Sequence, residues 1–135
     1  TARGGREGQA RTSDGHLDVR LTMPRELGGA GGEGTNPEQL FAAGYAACFE
    51  SALCLVARLD KRPLSSLAIT ARVTLGKDGD AFRLAVHLTG HLPDMPAADA
   101  MALLEKAHQV CPYSAATRGN IEVTLAVADD NASRT

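Results

Sequence analysis

Apolar residues recur along the chain with two rhythms, one near 3.6 residues and one of two. The first rhythm dominates residues 35–59, TNPEQLFAAGYAACFESALCLVARL. Thr35 or Asn36 can cap the start of a helix there, and Pro37 suits its first position, where a missing N–H costs nothing. Glu38 in the first turn complements the positive helix end. Leu40, Phe41, Ala43, Ala47, Ala52, Leu55, Val56 and Leu59 place apolar surface on more than one side. Such a pattern predicts a core helix. Glu38, Gln39 and Glu50 within the stretch argue against a membrane span.

The period-two rhythm predicts strands. His16–Leu21 alternates, with Leu17, Val19 and Leu21 inward. Lys61-Arg62-Pro63 ends the long helix, and Leu67, Ile69, Ala71, Val73 and Leu75 then alternate over a second strand. Asp78-Gly79 within Lys77–Asp80 reads as a turn pair, and Phe82, Leu84, Val86 and Leu88 alternate on the return strand. Pro93 to Pro96 breaks the pattern. A second helix covers 97–110, with Met101, Leu104 and Ala107 or His108 along its stripe, and Cys111-Pro112-Tyr113-Ser114 ends it. Ile121, Val123, Leu125 and Val127 give a last strand. The order strand, long helix, hairpin, helix, strand predicts an α+β fold in a single domain over residues 1–128, with 129–135 as a disordered tail. The long helix carries more apolar surface than one small sheet covers, so a second copy of the chain is expected against it.

Composition narrows the function classes. The net charge is −2 and basic runs are absent, which argues against a nucleic-acid surface. With no signal-like or lipidation segment, the expectation is a cytoplasmic protein, with no membrane partner. Three cysteines, Cys48, Cys54 and Cys111, are too few and odd in number for a secreted disulfide framework. Residues 1–8 are polar and Gly-rich, and Arg3 and Arg6 read there as solvated charges. Gly29, Gly31 and Gly34 satisfy G-x-G-x-x-G, but Pro24–Leu27 separates them from the preceding strand. They therefore read as a mobile connector rather than a dinucleotide site.

The thiols hold the candidate chemistry. Cys48 lies deep in the long helix, either as a small core residue or as a nucleophile. Cys111 precedes a proline at a helix end. Cys54, six residues after Cys48, points to another face and reads as core packing. His108-x-x-Cys111 is the only hint of zinc spacing and lacks a second pair, so no metal is expected. A Cys–His hydrolase would draw on His16, His87, His91 or His108, none of which sequence can place beside Cys48. A redox pair of one reactive and one resolving thiol fits Cys48 and Cys111 as well.

At this level of detail three segments acquire a joint meaning. GGR at 4–6, GTNPEQLFAAGYAACF at 34–49 and AHQVCPYSAATRGNIEV at 107–123 resemble, in order and spacing, the organic hydroperoxide resistance proteins. These are a branch of the wider family of osmotically inducible protein C. The resemblance implies the fold of that family, antiparallel sheets around long central helices in an intertwined homodimer. It implies a thiol peroxidase that reduces alkyl and fatty-acid hydroperoxides to alcohols without a cofactor. A dithiol such as dihydrolipoamide, carried on a lipoylated protein, would recycle it. Cys48 matches the peroxidatic cysteine and Cys111 the resolving one. Arg6 matches the arginine that stabilises the thiolate, and Glu38 the glutamate that orients it. Leu21, Met23, Phe41, Phe49 and Tyr113 are candidates to line a pocket for the alkyl tail, each reading equally as plain core. The alternative of another class is a non-catalytic, stress-associated ligand-binding dimer of the same fold.

Elementary chemistry agrees with those roles. An ordinary thiol is only about 3% thiolate at pH 7. Helix-dipole help fades within the first turn, and Cys48 lies about three turns in. A nearby cation is needed, and Arg keeps its charge when partly buried. Glu38 and Cys48, however, are ten residues apart on one predicted helix, about 15 Å along its axis. A glutamate side chain cannot close that gap. The simplest expectation is that two long helices pack antiparallel in a dimer, bringing Glu38 of one chain near Cys48 of the other; the alternative is that the helix begins later than Pro37 and NPEQL folds back over its own chain.

Overall fold

The computed structural model describes residues 1–62, 64 and 66–129. Pro63 and the rest of the expected tail, 130–135, lie outside them. The chain divides into two compact units, Thr1–Phe41 and Ala42–Thr135.

In the first unit a small antiparallel sheet joins β1 (Ala2–Arg3), β2 (Gln9–Arg11) and β3 (Asp18–Arg20) in that order. Ala2 pairs with Ala10, and Ala10 with Val19. β1 and β2 were not visible as alternating apolar residues, because polar side chains occupy most of their positions. A 3₁₀ turn over Gly5–Glu7 links them, entered through Gly4 at φ 82°, a conformation glycine adopts without steric cost. The expected strand over 16–21 is shortened to β3, and Leu17 is exposed rather than inward, while Leu21 is buried. Leu17 sits outside the paired strand, beside the Thr12–His16 turn, where Thr12 caps it by side chain and backbone.

The Gly-rich connector is held in place. Gly31 N–H donates to Met23 O, Gly29 N–H to Pro24 O, and Thr35 N–H to Arg20 O. A Cβ on Gly29 would fall 2.1 Å from Met23 O, so that glycine answers a backbone approach within the connector itself. Asn36 Oδ1 then accepts from Gln39 N–H at 2.8 Å and caps α1 (Pro37–Leu59), as its position before Pro37 predicts.

In the second unit β4 (Ala68–Asp78) and β5 (Ala81–His91) form a long antiparallel hairpin from Ala68↔His91 to Asp78↔Ala81. The loop is Gly79-Asp80, one residue later than the turn pair read from sequence, with Gly79 at φ 64°. Glycine first in a two-residue loop is the II′ pattern that suits strand twist. β6 (Val123–Val127) adds to β5 in parallel, from Val86↔Val123 to Gly90↔Val127, so the sheet is mixed, in order β4-β5-β6. Ile69, Ala71, Val73 and Leu75 alternate half-buried with exposed neighbours, as the pattern predicts. Phe82 does not follow its strand inward. It lies near the hairpin tip, opposite Lys77, and is 67% exposed.

α2 spans Ala97–Val110, the range read from sequence. Its buried face is Ala100, Leu103, Leu104 and Ala107, shifted from the expected stripe, and Met101 and His108 are half-buried at its edges. A short helix the sequence reading had not separated, α3 (Pro112–Thr117), follows at once. Cys111, at φ −69° and ψ 125°, forms the corner between them. The residue before proline favours such an extended conformation.

α1 is long and apolar enough by composition to cross a membrane. Here one face of it, formed by Tyr45, Phe49, Ala52, Leu53, Val56 and Ala57, is buried in the protein's own core. The opposite positions Ala43, Ala47, Leu55 and Leu59 are exposed, so the helix is one-sided in a single chain rather than core all round. Cys54, read as core packing, is exposed on that open side.

Candidate active site

Two pairs of predicted site residues come together, one in each unit. In the first, Arg6 Nη1 donates to Glu38 Oε2 at 2.8 Å and Nη2 to Oε1 at 2.6 Å. This is the two-pronged geometry that a planar guanidinium makes with a carboxylate. Arg6 is therefore not a freely solvated charge. The hydrogen bonds from Arg6 hold the Glu38 carboxyl below its usual range against the opposing effect of burial. The same bond to Glu38 raises the Arg6 guanidinium, so both groups remain ionised. The 3₁₀ turn supplies Arg6 and the first turn of α1 supplies Glu38.

In the second unit Cys48 Sγ and Cys111 Sγ lie 3.8 Å apart, both as free thiols. Cys111 is buried and Cys48 half-buried. Closing a disulfide at about 2.05 Å requires the sulfurs to approach by roughly 1.8 Å more. Burial pushes the Cys48 thiol above its usual value. The Tyr113 backbone N–H, donating to the Cys48 sulfur, opposes this, and the neighbouring Cys111 thiol adds to the rise. Tyr113 is the second residue of α3, and the N–H groups of a first helical turn lack partners within the helix. The corner at Cys111 thus presents both a thiol and a donor to Cys48.

The predicted pocket residues divide between the units. Leu21 and Met23 line a recess of about 150 Å³ in the first, together with Glu7, Arg20 and the Gly-rich connector. Phe41 is half-buried at the end of that unit. In the second, Phe49 is fully buried behind Tyr45, with ring centroids 6.4 Å apart. Tyr113 is 39% exposed and stacks obliquely on Tyr45 at 5.6 Å.

Sequence reasoning missed a polar group beneath the thiols. Tyr45 Oη contacts Ser114 Oγ at 2.8 Å and Thr117 Oγ1 at 3.2 Å, and His108 Nδ1 contacts Ser114 Oγ at 2.7 Å. Burial, with the positive charge of Arg118 nearby, pushes the His108 imidazole down, toward its neutral form. The available signal was Tyr45 itself, since a tyrosine in a buried helix face needs a partner for its hydroxyl. The other histidines have separate partners. His16 meets Asp14, His87 meets Thr124 and His91 meets Thr70.

A family model described as OsmC-like protein matches residues 29–126. The chain is 57% identical over 129 residues to the organic hydroperoxide resistance protein of Xanthomonas axonopodis pv. citri, covering 95% of this chain and 91% of the relative. It superposes on the crystal structure of an organic hydroperoxide resistance protein from Legionella pneumophila with a TM-score of 0.89, at 52% identity, over 95% of this chain and 93% of that one. A second such protein, from Elizabethkingia anophelis with thiocyanate bound, matches with a TM-score of 0.88 at 48% identity, over 95% and 92% of the two chains. The α+β fold, the paired thiols and this similarity along nearly the whole length agree, and the chain belongs to the OsmC-like family, in its organic hydroperoxide resistance branch.

Proposed function

We propose that this chain is a cytoplasmic thiol peroxidase that reduces organic hydroperoxides, including those of fatty acids, to alcohols. The observation that carries the reading is the 3.8 Å approach of Cys48 Sγ on α1 and Cys111 Sγ at the α2–α3 corner, far apart in sequence. The Cys48 thiolate attacks the terminal oxygen of R–O–O–H and the O–O bond breaks. The alkoxide takes up a proton and leaves as R–OH, while Cys48 becomes a sulfenic acid. Cys111 then displaces the sulfenic hydroxyl as water, giving a Cys48–Cys111 disulfide. A dithiol, in the form of a lipoyl group on a carrier protein, returns both thiols by exchange.

The thiolate needs help, because burial acts against it. The Arg6–Glu38 pair is suited to give it, with a fixed cation oriented by a bidentate carboxylate. We place this pair opposite Cys48 across a homodimer, so that the partner subunit's Arg6 and the partner subunit's Glu38 complete each site. The exposed apolar side of α1, with Leu55 and Leu59, supports a second copy there. Tyr113, 39% exposed, supplies aromatic surface for an alkyl tail beside Cys48, whereas the fully buried Phe49 is core.

The test is consumption of tert-butyl hydroperoxide in the presence of dihydrolipoamide, comparing the wild type with Cys48→Ser. The wild type should turn over repeatedly and Cys48→Ser should not exceed the uncatalysed rate. Equal rates would leave the non-catalytic ligand-binding dimer as the reading. Sedimentation of the active protein adds a second check, since full activity in a monomer would refute the shared site.

A further inference from the structure

The buried contacts among His108, Ser114, Tyr45 and Thr117 form one continuous chain. Each hydroxyl carries one proton. Thr117 Oγ1 donates its proton to the Ser114 carbonyl at 3.2 Å. Tyr45 Oη lies within hydrogen-bond distance of both Thr117 Oγ1 and Ser114 Oγ, and Ser114 Oγ also meets His108 Nδ1. Tyr45 and Ser114 are fully buried and Thr117 is 5% exposed, so water is poorly placed to replace a missing partner.

The chain of bonds ties three helices together at the thiols. Tyr45 sits one turn before Cys48 on α1. His108 is in the last turn of α2, and Ser114 and Thr117 are on α3. Ser114 directly follows Tyr113, whose N–H reaches Cys48, and lies three residues beyond Cys111. Arg118 adds a clamp by donating from Nη2 to His108 O at 2.9 Å. Turning the Cys111-Pro112-Tyr113 corner away from α1 would break hydrogen bonds in a dry interior.

We propose that the His108–Ser114–Tyr45–Thr117 chain positions the Cys111 corner for the resolving step, so that these four are positioning residues for disulfide closure rather than for peroxide cleavage. The step in question forms the Cys48–Cys111 S–S bond and breaks the S–O bond of the Cys48 sulfenic acid. The hydroxyl departs with the Cys111 proton as water. The inference rests on the peroxidase reading for the origin of the sulfenic acid, but the closure itself needs only the two thiols.

The experiment adds one equivalent of tert-butyl hydroperoxide to reduced protein. Mass spectrometry with dimedone trapping then follows sulfenic acid and disulfide separately. In Tyr45→Phe, sulfenic acid should form within twofold of the wild-type rate, while disulfide closure slows at least tenfold and the dimedone adduct accumulates. His108→Leu should behave likewise. His108→Asn, whose side-chain amide stands in for Nδ1, should recover most of the closure rate. Wild-type closure in both Tyr45→Phe and His108→Leu overturns the proposal, as does equal closure in His108→Leu and His108→Asn. Should Tyr45→Phe fail to fold, the two His108 variants decide alone. If the wild type forms no sulfenic acid, the peroxidase reading is what fails. Closure is then driven by diamide, which oxidises any accessible thiol pair, and the same order of rates is expected.

Discussion

Cys111 Sγ meets Cys48 Sγ at 3.8 Å although 63 residues separate them in sequence. The contact depends on the corner between α2 and α3, which turns a buried thiol toward α1 instead of continuing the helix. Cys111→Ser should therefore retain the first oxidation of Cys48 and lose the second step. One equivalent of hydroperoxide is consumed and cycling with a dithiol stops, as stoichiometric peroxide assays would record. Normal cycling in this variant would remove Cys111 from the resolving role.

Arg6→Ala should raise the Cys48 thiol further if the proposed dimer site holds. Each unit of pKa corresponds to a tenfold loss of thiolate below that value. Alkylation of Cys48 by iodoacetamide at pH 6 is expected to slow at least tenfold. Arg6→Lys should fall between, because a lysine keeps the charge but not the fork. Unchanged alkylation in Arg6→Ala would assign the activation to another group.

The Arg6–Glu38 pair also predicts a pH dependence of stability. Glu38 titrates below its usual value of 4.5 in the folded chain, through its bonds to Arg6. A depressed carboxyl contributes fully above the unfolded-state value, and the contribution fades as pH falls through the lower folded-state value. Glu38→Gln should thus lower stability by about 1 kcal/mol at pH 7, a modest figure because the Arg6 side chain is 35% exposed. Urea midpoints should show that difference constant from neutral pH to about pH 5, then shrinking toward pH 3. A difference that grows on acidification would contradict the assignment.

Gly90 is a packing position rather than a turn. It is buried on β5, and a Cβ there would lie 2.7 Å from Leu104 Cδ2 and 2.9 Å from Leu92 Cδ1. Gly90→Ala should cost about 1–3 kcal/mol by overpacking beneath α2. Combining it with Leu104→Ala should recover part of that loss, since the two changes share one space. Chemical denaturation of the four variants of this cycle measures both effects.

Where local pattern and tertiary environment agree, the sequence was legible. α2 was read over its full length from one apolar stripe, and Asn36 before Pro37 marked the start of α1. The alternation in β4 also matched its half-buried face. Where polar chains do the pairing, as in β1 and β2, periodicity carries no signal, and those strands were invisible. α3 was hidden because Pro112 reads equally well as the end of one helix or the first residue of the next. Leu17 was read inward from alternation, Phe82 was placed in the rhythm of the return strand and Cys54 was read as core packing, yet they lie beyond a strand end, near a hairpin tip and on the open side of α1. The thiol pair and the Arg6–Glu38 pair were named through resemblance, because spacing alone cannot bring positions so distant together. The Tyr45 hydrogen-bond chain needed coordinates, since its members are ordinary residues that acquire meaning only by touching.

The parallel pairing of β6 with β5 has a consequence for how the chain is made. An antiparallel partner could zip from the hairpin as soon as it left the ribosome. β6 must instead wait until α2 and α3 have been synthesised and folded back, because a parallel strand needs a crossover. Until then the β5 edge, with Val86 and Leu88 beside it, offers unpaired backbone to any neighbouring nascent chain. Ribosome-stalled chains ending before Val123 should therefore be the species most inclined to associate with one another during translation.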